Sequence, residues 1–369
     1  MHFPNFNKSG TIKQKESSLN IINTEGGSII EKKPFNILSI DGGGIKGLYS
    51  AVILAEFERE YGKINNYFNL ICGTSTGGII ALALSAGIPA QKIVDLYTEE
   101  GPRIFPYRNK IWRWIQGFKQ VVLLSKYRED SLANALREVF GEKRIKDCEN
   151  IVLIPTSNIT HGQPCIIKSD HSEELKRDGN HKLVDVALAT AAAPTYFPIQ
   201  EMETMPETQF ADGGLFSNNP SLHGIQEAYR FYINPNEYEF NTFNLLSIST
   251  LHQPFAFQRK LKVRSRSFLL WKNNLLALMM DLQSISTHYH IQYLNKSLNG
   301  NYIRIGSEPL TKKESKLIDL DLASEESIKL LKSKGLEAAI KWINDPQIQC
   351  FFENECLKIV KRGEPVGTM

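Results

Sequence analysis

The sequence lacks most of the features that would assign it quickly. No apolar run reaches the roughly 18 residues that a membrane-spanning helix needs; the longest, at 78–87 and 268–280, are too short or too interrupted. The first twenty residues hold no apolar core of a secretory signal, so the chain reads as cytoplasmic. Its five cysteines are odd in number and never spaced CxxC, which argues against a disulfide framework or a zinc ribbon. Charge of one sign is missing too. Lys plus Arg is 43 against 40 Asp plus Glu, and a net +3 is too slight to imply a DNA or RNA polymer as partner. Internal repeats and low-complexity blocks are absent. What remains is a 369-residue chain, 42% hydrophobic, long enough to bury about three-quarters of its unfolded surface without a metal or disulfide staple.

Residues 1–33 are polar and aperiodic and read as a flexible arm. From Pro34 onward, short apolar runs that end in glycine alternate with helical stretches. Residues 35–40 and 67–73 read as strands; 50–62 and 77–87 read as helices, the first closing on Gly62. Strand–helix–strand–helix order implies parallel strands with right-handed crossovers, hence an α/β layered sheet. Further helices are expected at 130–141, 183–194 and 215–232, and further strands at 150–159, 165–170, 243–250 and 301–307. Thr311 and Glu314 form a capping box opening a charged helical segment to about residue 343. The division this suggests is an arm (1–33), a main domain (34–308) and a helical segment (309–369) packed on the same domain.

Gly73-Thr74-Ser75-Thr76-Gly77 is a G-x-S-x-G sequence between an expected strand and an expected helix. That context is the one a nucleophile elbow requires, with the serine exposed at a helix N-terminus that favours developing negative charge. By itself the sequence also suits a mere glycine-rich turn. Asp41-Gly42-Gly43-Gly44-Ile45-Lys46-Gly47 likewise follows a strand and precedes a helix, and contains a literal G-x-G-x-x-G. A dinucleotide site there is opposed by Asp41 beside the pyrophosphate, and by a second strand that ends in Cys72 and Gly73 instead of an acidic residue. A run of small residues offering backbone N–H groups as an oxyanion hole fits better. None of the eight histidines is a clear base for Ser75. Asp212, followed by Gly213 and Gly214, offers a carboxylate that can take a serine proton directly if held close and partly desolvated. Alone, it is an ordinary Asp-Gly turn.

In this order, D-G-G-G-x-K-G (41–47), G-T-S-T-G (73–77) and D-G-G (212–214) resemble the patatin-like phospholipase family. AAAPTYFP (191–198) and SNNPS (217–221) add to the likeness, which covers roughly residues 34–250. The resemblance implies a three-layer α/β/α fold with a mostly parallel central sheet and added helical and cap segments. It also implies hydrolysis of membrane phospholipid acyl esters by a Ser–Asp dyad, with no metal or other cofactor. Ser75 would be the nucleophile, Asp212 the base, and the backbone of Gly42, Gly43 and Gly44 the oxyanion hole. Asp41, Lys46, Gly47, Gly73, Gly77, Gly213 and Gly214 would support these turns. The sequence looks most like bacterial effectors of cyclic-nucleotide-triggered antiphage defence, which implies a cyclic di- or oligonucleotide activator, with homo-oligomerisation as one route of switching. The rivals are a nucleotide-binding module built on the 42–47 loop and a housekeeping lipid acyl hydrolase without nucleotide control.

Two segments add charge. Residues 101–128 hold seven basic residues and no acidic one, with six aromatics interleaved. Arg108, Lys110 and Arg113 lie on what reads as a basic amphipathic helix, either an interfacial membrane element for peripheral association or a helix docked on the core. Arg259, Lys260, Lys262, Arg264 and Arg266 crowd into eight positions, and are a candidate contact for an activator's phosphates or for membrane, or else a solvated loop.

Overall fold

The computed structural model describes residues 33–106, 129–233, 240–252 and 273–356. The expected arm up to residue 32, Arg108, Lys110, Arg113 and most of the 101–128 segment lie outside the described residues. So do Arg259, Lys260, Lys262, Arg264 and Arg266.

Eight strands form one sheet. They are β1 (Lys33–Ile40), β2 (Leu70–Gly73), β3 (Ile151–Asn158), β4 (Gln163–Lys168), β5 (Gln200–Met202), β6 (Met205–Asp212), β7 (Phe240–Ile248) and β8 (Asn301–Ile305), in the spatial order β5-β6-β3-β2-β1-β7-β8. The pairings β3-β2-β1-β7-β8 are all parallel. Antiparallel pairing is confined to the other end, where β3 meets β4 and β6, and β5 meets β6.

Alternation along the strands assigns the two faces. Leu38, Ile40, Ile71, Val152, Leu246 and Ile248 enter the larger core with α1 (Gly47–Tyr61), α2 (Thr76–Ser85), α3 (Ala90–Glu99), α4 (Gly101–Ile104), α5 (Glu129–Phe140) and α6 (Leu183–Thr190). Phe35, Ile37, Leu70, Cys72, Phe243 and Leu245 enter a smaller core under α7 (Ser221–Phe231) and α8 (Asn273–Leu298). The result is the three-layer α/β/α sandwich with a mostly parallel centre.

Three expectations change. The hairpin β5–β6 has no counterpart among the expected strands, because its first half reads Met-Pro-Glu-Thr and burial is continuous only over its last three residues. The long helix α8 starts inside the 268–280 stretch, which in the sequence is only an interrupted apolar run. The 311–314 capping box forms, Thr311 N–H donating to Glu314 at 2.8 Å and Glu314 N–H to Thr311 at 3.2 Å. It opens only one turn, however. The long helix, α9 (Glu325–Ile343), starts later with Ser324 as its cap, because Ile318, Leu320 and Ala323 first run into the larger core.

Residues beyond 309 share that core: Leu331, Ile348 and Phe351 are fully buried in it, and Phe351 lies on Phe68. Phe351→Ala is expected to cost about 3–5 kcal/mol, the range for emptying a buried aromatic site. Denaturant unfolding should show one transition shifted to a lower midpoint. A second transition, with the main one unchanged, would mean that the C-terminal segment folds by itself.

Candidate active site

Gly73 ends β2, and the chain turns within three residues into α2. Ser75 sits at the crest with φ 55 and ψ −124, a backbone conformation that costs a non-glycine residue of order 1–3 kcal/mol. Surroundings hold it there. The Ser75 N–H donates to Thr190 Oγ1 at 3.0 Å, and that hydroxyl donates onward to the Pro155 carbonyl at 2.7 Å. Gly73 and Gly77 make the turn possible: a Cβ on the first would overlap the Gly77 carbonyl, and one on the second the Ile40 carbonyl.

Asp212 ends β6. It reaches the serine because β2 and β6 share an edge of β3. Cys72 pairs with Leu153 and Asp212 with Thr156, while β4 covers both Leu153 and Thr156 from the opposite edge. The two strands therefore run toward each other along one edge and stop a few residues apart. Ser75 Oγ donates to Asp212 Oδ2 at 2.7 Å, and Oδ1 accepts from Gly214 N–H at 2.6 Å. The backbone of Asp212 is fixed as well, its N–H on the Ala192 carbonyl and its carbonyl under the Ser157 hydroxyl. Burial pushes the Asp212 carboxyl up to about 6, against the hydrogen bonds from Ser75 and Gly214, which favour the ionised form. The described residues lining the space around this pair include no histidine. His171 and His181 are buried elsewhere against Glu227 and Asp178.

The glycine turn after β1 comes beside Ser75, and it corrects one expectation. Gly42 N–H is already bonded to the Asn218 carbonyl at 3.0 Å, so it is not free to hold an oxyanion. Among the described residues, the N–H groups of Gly43 and Gly44 have no hydrogen-bond acceptor. The dinucleotide alternative loses its support here. Leu320 O accepts from Ile45 N–H and lies where a Cβ on Gly44 would sit, so a carbonyl oxygen occupies the donor a pyrophosphate would need. Gly47 is small because Thr76 lies against it, Gly213 because the Pro155 carbonyl does. Lys46 is buried, and no carboxylate among the described residues pairs with it.

Asp41 does not face the serine. Its carboxylate takes both Arg304 amino groups, at 2.5 and 3.2 Å, and the Ser284 hydroxyl at 2.5 Å. Arg304 is the main residue that sequence reasoning missed. Its signal was a single basic residue inside an apolar strand run, NYIRIGS. Thr190, Asn218 and Thr250 were missed too; Thr250 Oγ1 and the Asn218 amide both donate to the Gly42 carbonyl, at 3.2 and 3.4 Å.

Between Ser75 and α4, α5 and α8 lies an apolar slot lined by Ile79, Ile104, Leu132, Phe197 and Met280 among others, with Ser75, Asp212 and Gly44 at one end. Its free volume is about 50 Å³, room for a few waters at roughly 10–15 Å³ each and far less than a fatty acyl chain fills. A serine bonded to a desolvated carboxylate, two free N–H groups and an apolar slot make an arrangement suited to acyl transfer from an ester with a long apolar chain.

The chain's residues 38–223 match the family model described as patatin-like phospholipase. A cGAMP-activated phospholipase of Pseudomonas aeruginosa is 35% identical over 86% of this chain and 91% of its own. One of Vibrio cholerae serotype O1 is 34% identical over 84% and 91%. Patatin-like protein 4 of Arabidopsis thaliana is 31% identical over 84% of each chain.

Two outcomes follow from the buried carboxylate. Its raised pKa means that the folded protein holds the Asp212 proton more tightly than the unfolded chain does. Stability from this group is therefore full at low pH and falls as pH rises from about 4 to about 6, a cost on the order of 2–3 kcal/mol once it is ionised. Asp212→Asn should thus raise Tm at pH 7.5 while cutting acyl hydrolysis about 10³-fold or more; a lowered Tm would show that the carboxylate stabilises the fold. In the native protein, kcat/KM for a soluble ester should fall as pH drops through about 6, because protonated Asp212 cannot accept the serine proton. A profile flat down to pH 4.5 would remove Asp212 from that role.

Proposed function

Because the chain belongs to the patatin-like phospholipase family, we propose that it hydrolyses acyl esters of membrane glycerophospholipids with Ser75 as nucleophile and Asp212 as base, and that a cyclic nucleotide turns it on. The observation that carries the chemistry is the 2.7 Å bond from Ser75 Oγ to Asp212 Oδ2 at the end of an apolar slot.

Ser75 Oγ attacks the ester carbonyl carbon as its proton passes to Asp212. The carbonyl oxygen becomes an oxyanion and accepts from the Gly43 and Gly44 N–H groups, donors of a kind worth about 3 kcal/mol each in related chemistry. Collapse breaks the bond to the glycerol oxygen, which leaves with the proton from Asp212. A water then gives its proton to Asp212 and its oxygen to the acyl carbon, releasing a fatty acid and restoring Ser75. The apolar lining takes the acyl chain and keeps bulk water from the dyad, which sustains the raised pKa of the base.

Regulation is supported by the names of the P. aeruginosa and V. cholerae relatives and by the slot itself, too small in this conformation for its substrate. Action at the bilayer surface is supported by α8, whose face opposite the core exposes Met279, Leu282, Tyr289 and Tyr293 with Lys296 over the last ring. No described helix is long and apolar enough to cross a membrane.

Fatty acid release from phosphatidylethanolamine–phosphatidylglycerol vesicles tests the reading. The native chain should be nearly silent alone and active with cyclic GMP–AMP, and Ser75→Ala inactive in both conditions. More than a few per cent of residual activity in a purified Ser75→Ala sample would reassign the nucleophile. Full activity without nucleotide would leave a housekeeping hydrolase.

A further inference from the structure

A strap from the far end of the chain lies across the glycine turn. Residues 318–323 fall outside the 38–223 stretch that the family model matches, and run from the short turn at Glu314–Lys316 to the start of α9. Ile318 and Ala323 pin the two ends of the strap in the larger core, and Leu320 sits buried between them. The Leu320 carbonyl accepts from Ile45 N–H at 3.0 Å. Its backbone packs on Gly44 so closely that a Cβ there would lie 2.2 Å from the Leu320 oxygen. Gly44, at φ 58, takes the left-handed conformation that this approach demands. Leu320 also lines the apolar slot, together with Gly44, Ser75 and Asp212.

These contacts fix which part of a substrate would meet Leu320. In the chemistry proposed above, the ester carbonyl carbon sits at Ser75 Oγ and its oxygen at the Gly43 and Gly44 N–H groups. The first carbon of the acyl chain is bonded directly to that carbonyl carbon. A slot residue packed on Gly44 is therefore placed to bound the first carbons of the chain. The wall it makes is stiff, because Leu320 is tied to the turn by its carbonyl and held on both sides by buried neighbours. A close-packed wall of this kind gives little room for an added methyl group. One methyl in an apolar pocket is worth about 10–200-fold in specificity.

We propose that Leu320 is a specificity-determining residue of this site: its side chain bounds the acyl carbons next to the ester and restricts the slot to chains unbranched at the first carbon. The inference rests on the hydrolase reading above and names the class of acyl group that it accepts. The strap carries this role from outside the matched stretch, so the 41–47 and 73–77 motifs set the reaction and the C-terminal segment sets part of its selectivity.

The test uses the whole chain with cyclic GMP–AMP present and two soluble esters, p-nitrophenyl octanoate and its 2-methyl derivative. The ratio of kcat/KM for the branched ester to that for the straight one is compared between variant and native protein, which cancels the intrinsic reactivity of the esters. Leu320→Ala should raise this ratio about tenfold or more. Leu320→Met, close in volume, should keep the native ratio. A merely structural loss lowers both esters alike and leaves the ratio where it was. If Leu320→Ala is unfolded at the assay temperature, Leu320→Val carries the test and should raise the ratio at least about threefold. An unchanged ratio in the folded variant would overturn the proposal while leaving the hydrolase reading in place. An equal rise for Leu132→Ala, which opens the slot from α5, would also overturn it, because the effect would then belong to slot volume and not to the strap. A native chain that cleaves neither ester would sink the hydrolase reading, and the selector with it.

Discussion

The molecule's chemistry depends on one edge of one strand. A β-strand has two hydrogen-bonding edges, and β3 gives one wholly to β4. The other is divided: β2 pairs along its first half in parallel, β6 along its second half antiparallel. Two chains arriving from opposite ends of a shared edge must stop where they meet, and what each does there is decided by its last residues. β2 leaves the sheet at Gly73 into the strained turn of Ser75, and β6 leaves at Asp212 into a glycine turn. The Ser75–Asp212 pair is the seam between two strands. Its geometry is therefore as rigid as the sheet, which is the condition under which a hydroxyl and a carboxylate stay within hydrogen-bond reach without a third group to orient them.

Two buried carboxylates near this seam meet opposite fates. Asp41 is desolvated and fully compensated, by both amino groups of Arg304 and by Ser284. It ties the start of the glycine turn to β8 and α8, and so fixes the direction of the Gly43 and Gly44 N–H groups. Asp212 is desolvated and only partly compensated, by one hydroxyl and one N–H. Its charge is costly, and the cost appears as a pKa near 6. A fully satisfied carboxylate would be a poor base; an under-satisfied one accepts a proton readily. If Asp212 is the base proposed above, the difference between it and the structural Asp41 lies in the number and charge of donors around each.

Much of this was legible in the sequence because glycine turns and apolar runs have strong local causes. The turn at Ser75, the glycine turn after β1 and the first four elements could be read within a residue or three of their observed ends. What stayed hidden was non-local. That Gly42 is spent on Asn218 depends on a contact between residues far apart in the chain, and no local pattern encodes it. The hairpin that delivers Asp212 is half exposed, so its polar residues hid its period. Arg304 was visible as a charge in an apolar strand, but its partner could not be named until Ser39, Ser247 and Arg304 fell into register across β1, β7 and β8. The Thr311–Glu314 box shows the converse, a local signal correctly read whose helix was cut short by burial of Ile318 and Leu320.

The slot's small volume raises a question of magnitude. Coupling between two sites is typically 1–3 kcal/mol, or about 5–150-fold. If the slot is open roughly 1% of the time, such a coupling lifts that fraction to between about 5% and 60%, whereas full conversion needs roughly 10⁴-fold discrimination. On the proposed activation, binding of one nucleotide would thus start the opening but not complete it. The substrate supplies the remainder. An acyl chain fits only the open slot, so lipid is itself a ligand that discriminates between the states, and its burial is worth about 0.8 kcal/mol per methylene removed from water. Chain lengths common in membranes far exceed what is needed, but a lipid within a bilayer has already left water, and only its head-group contacts and local packing change on entry. The bilayer therefore contributes less than transfer from water suggests, and the two ligands must act together. On that proposal, nucleotide without membrane would leave the slot mostly empty, and membrane without nucleotide would meet it mostly closed. For a hydrolase whose substrate is always present in the cell, the proposed dependence on a second ligand would set the difference between silence and activity.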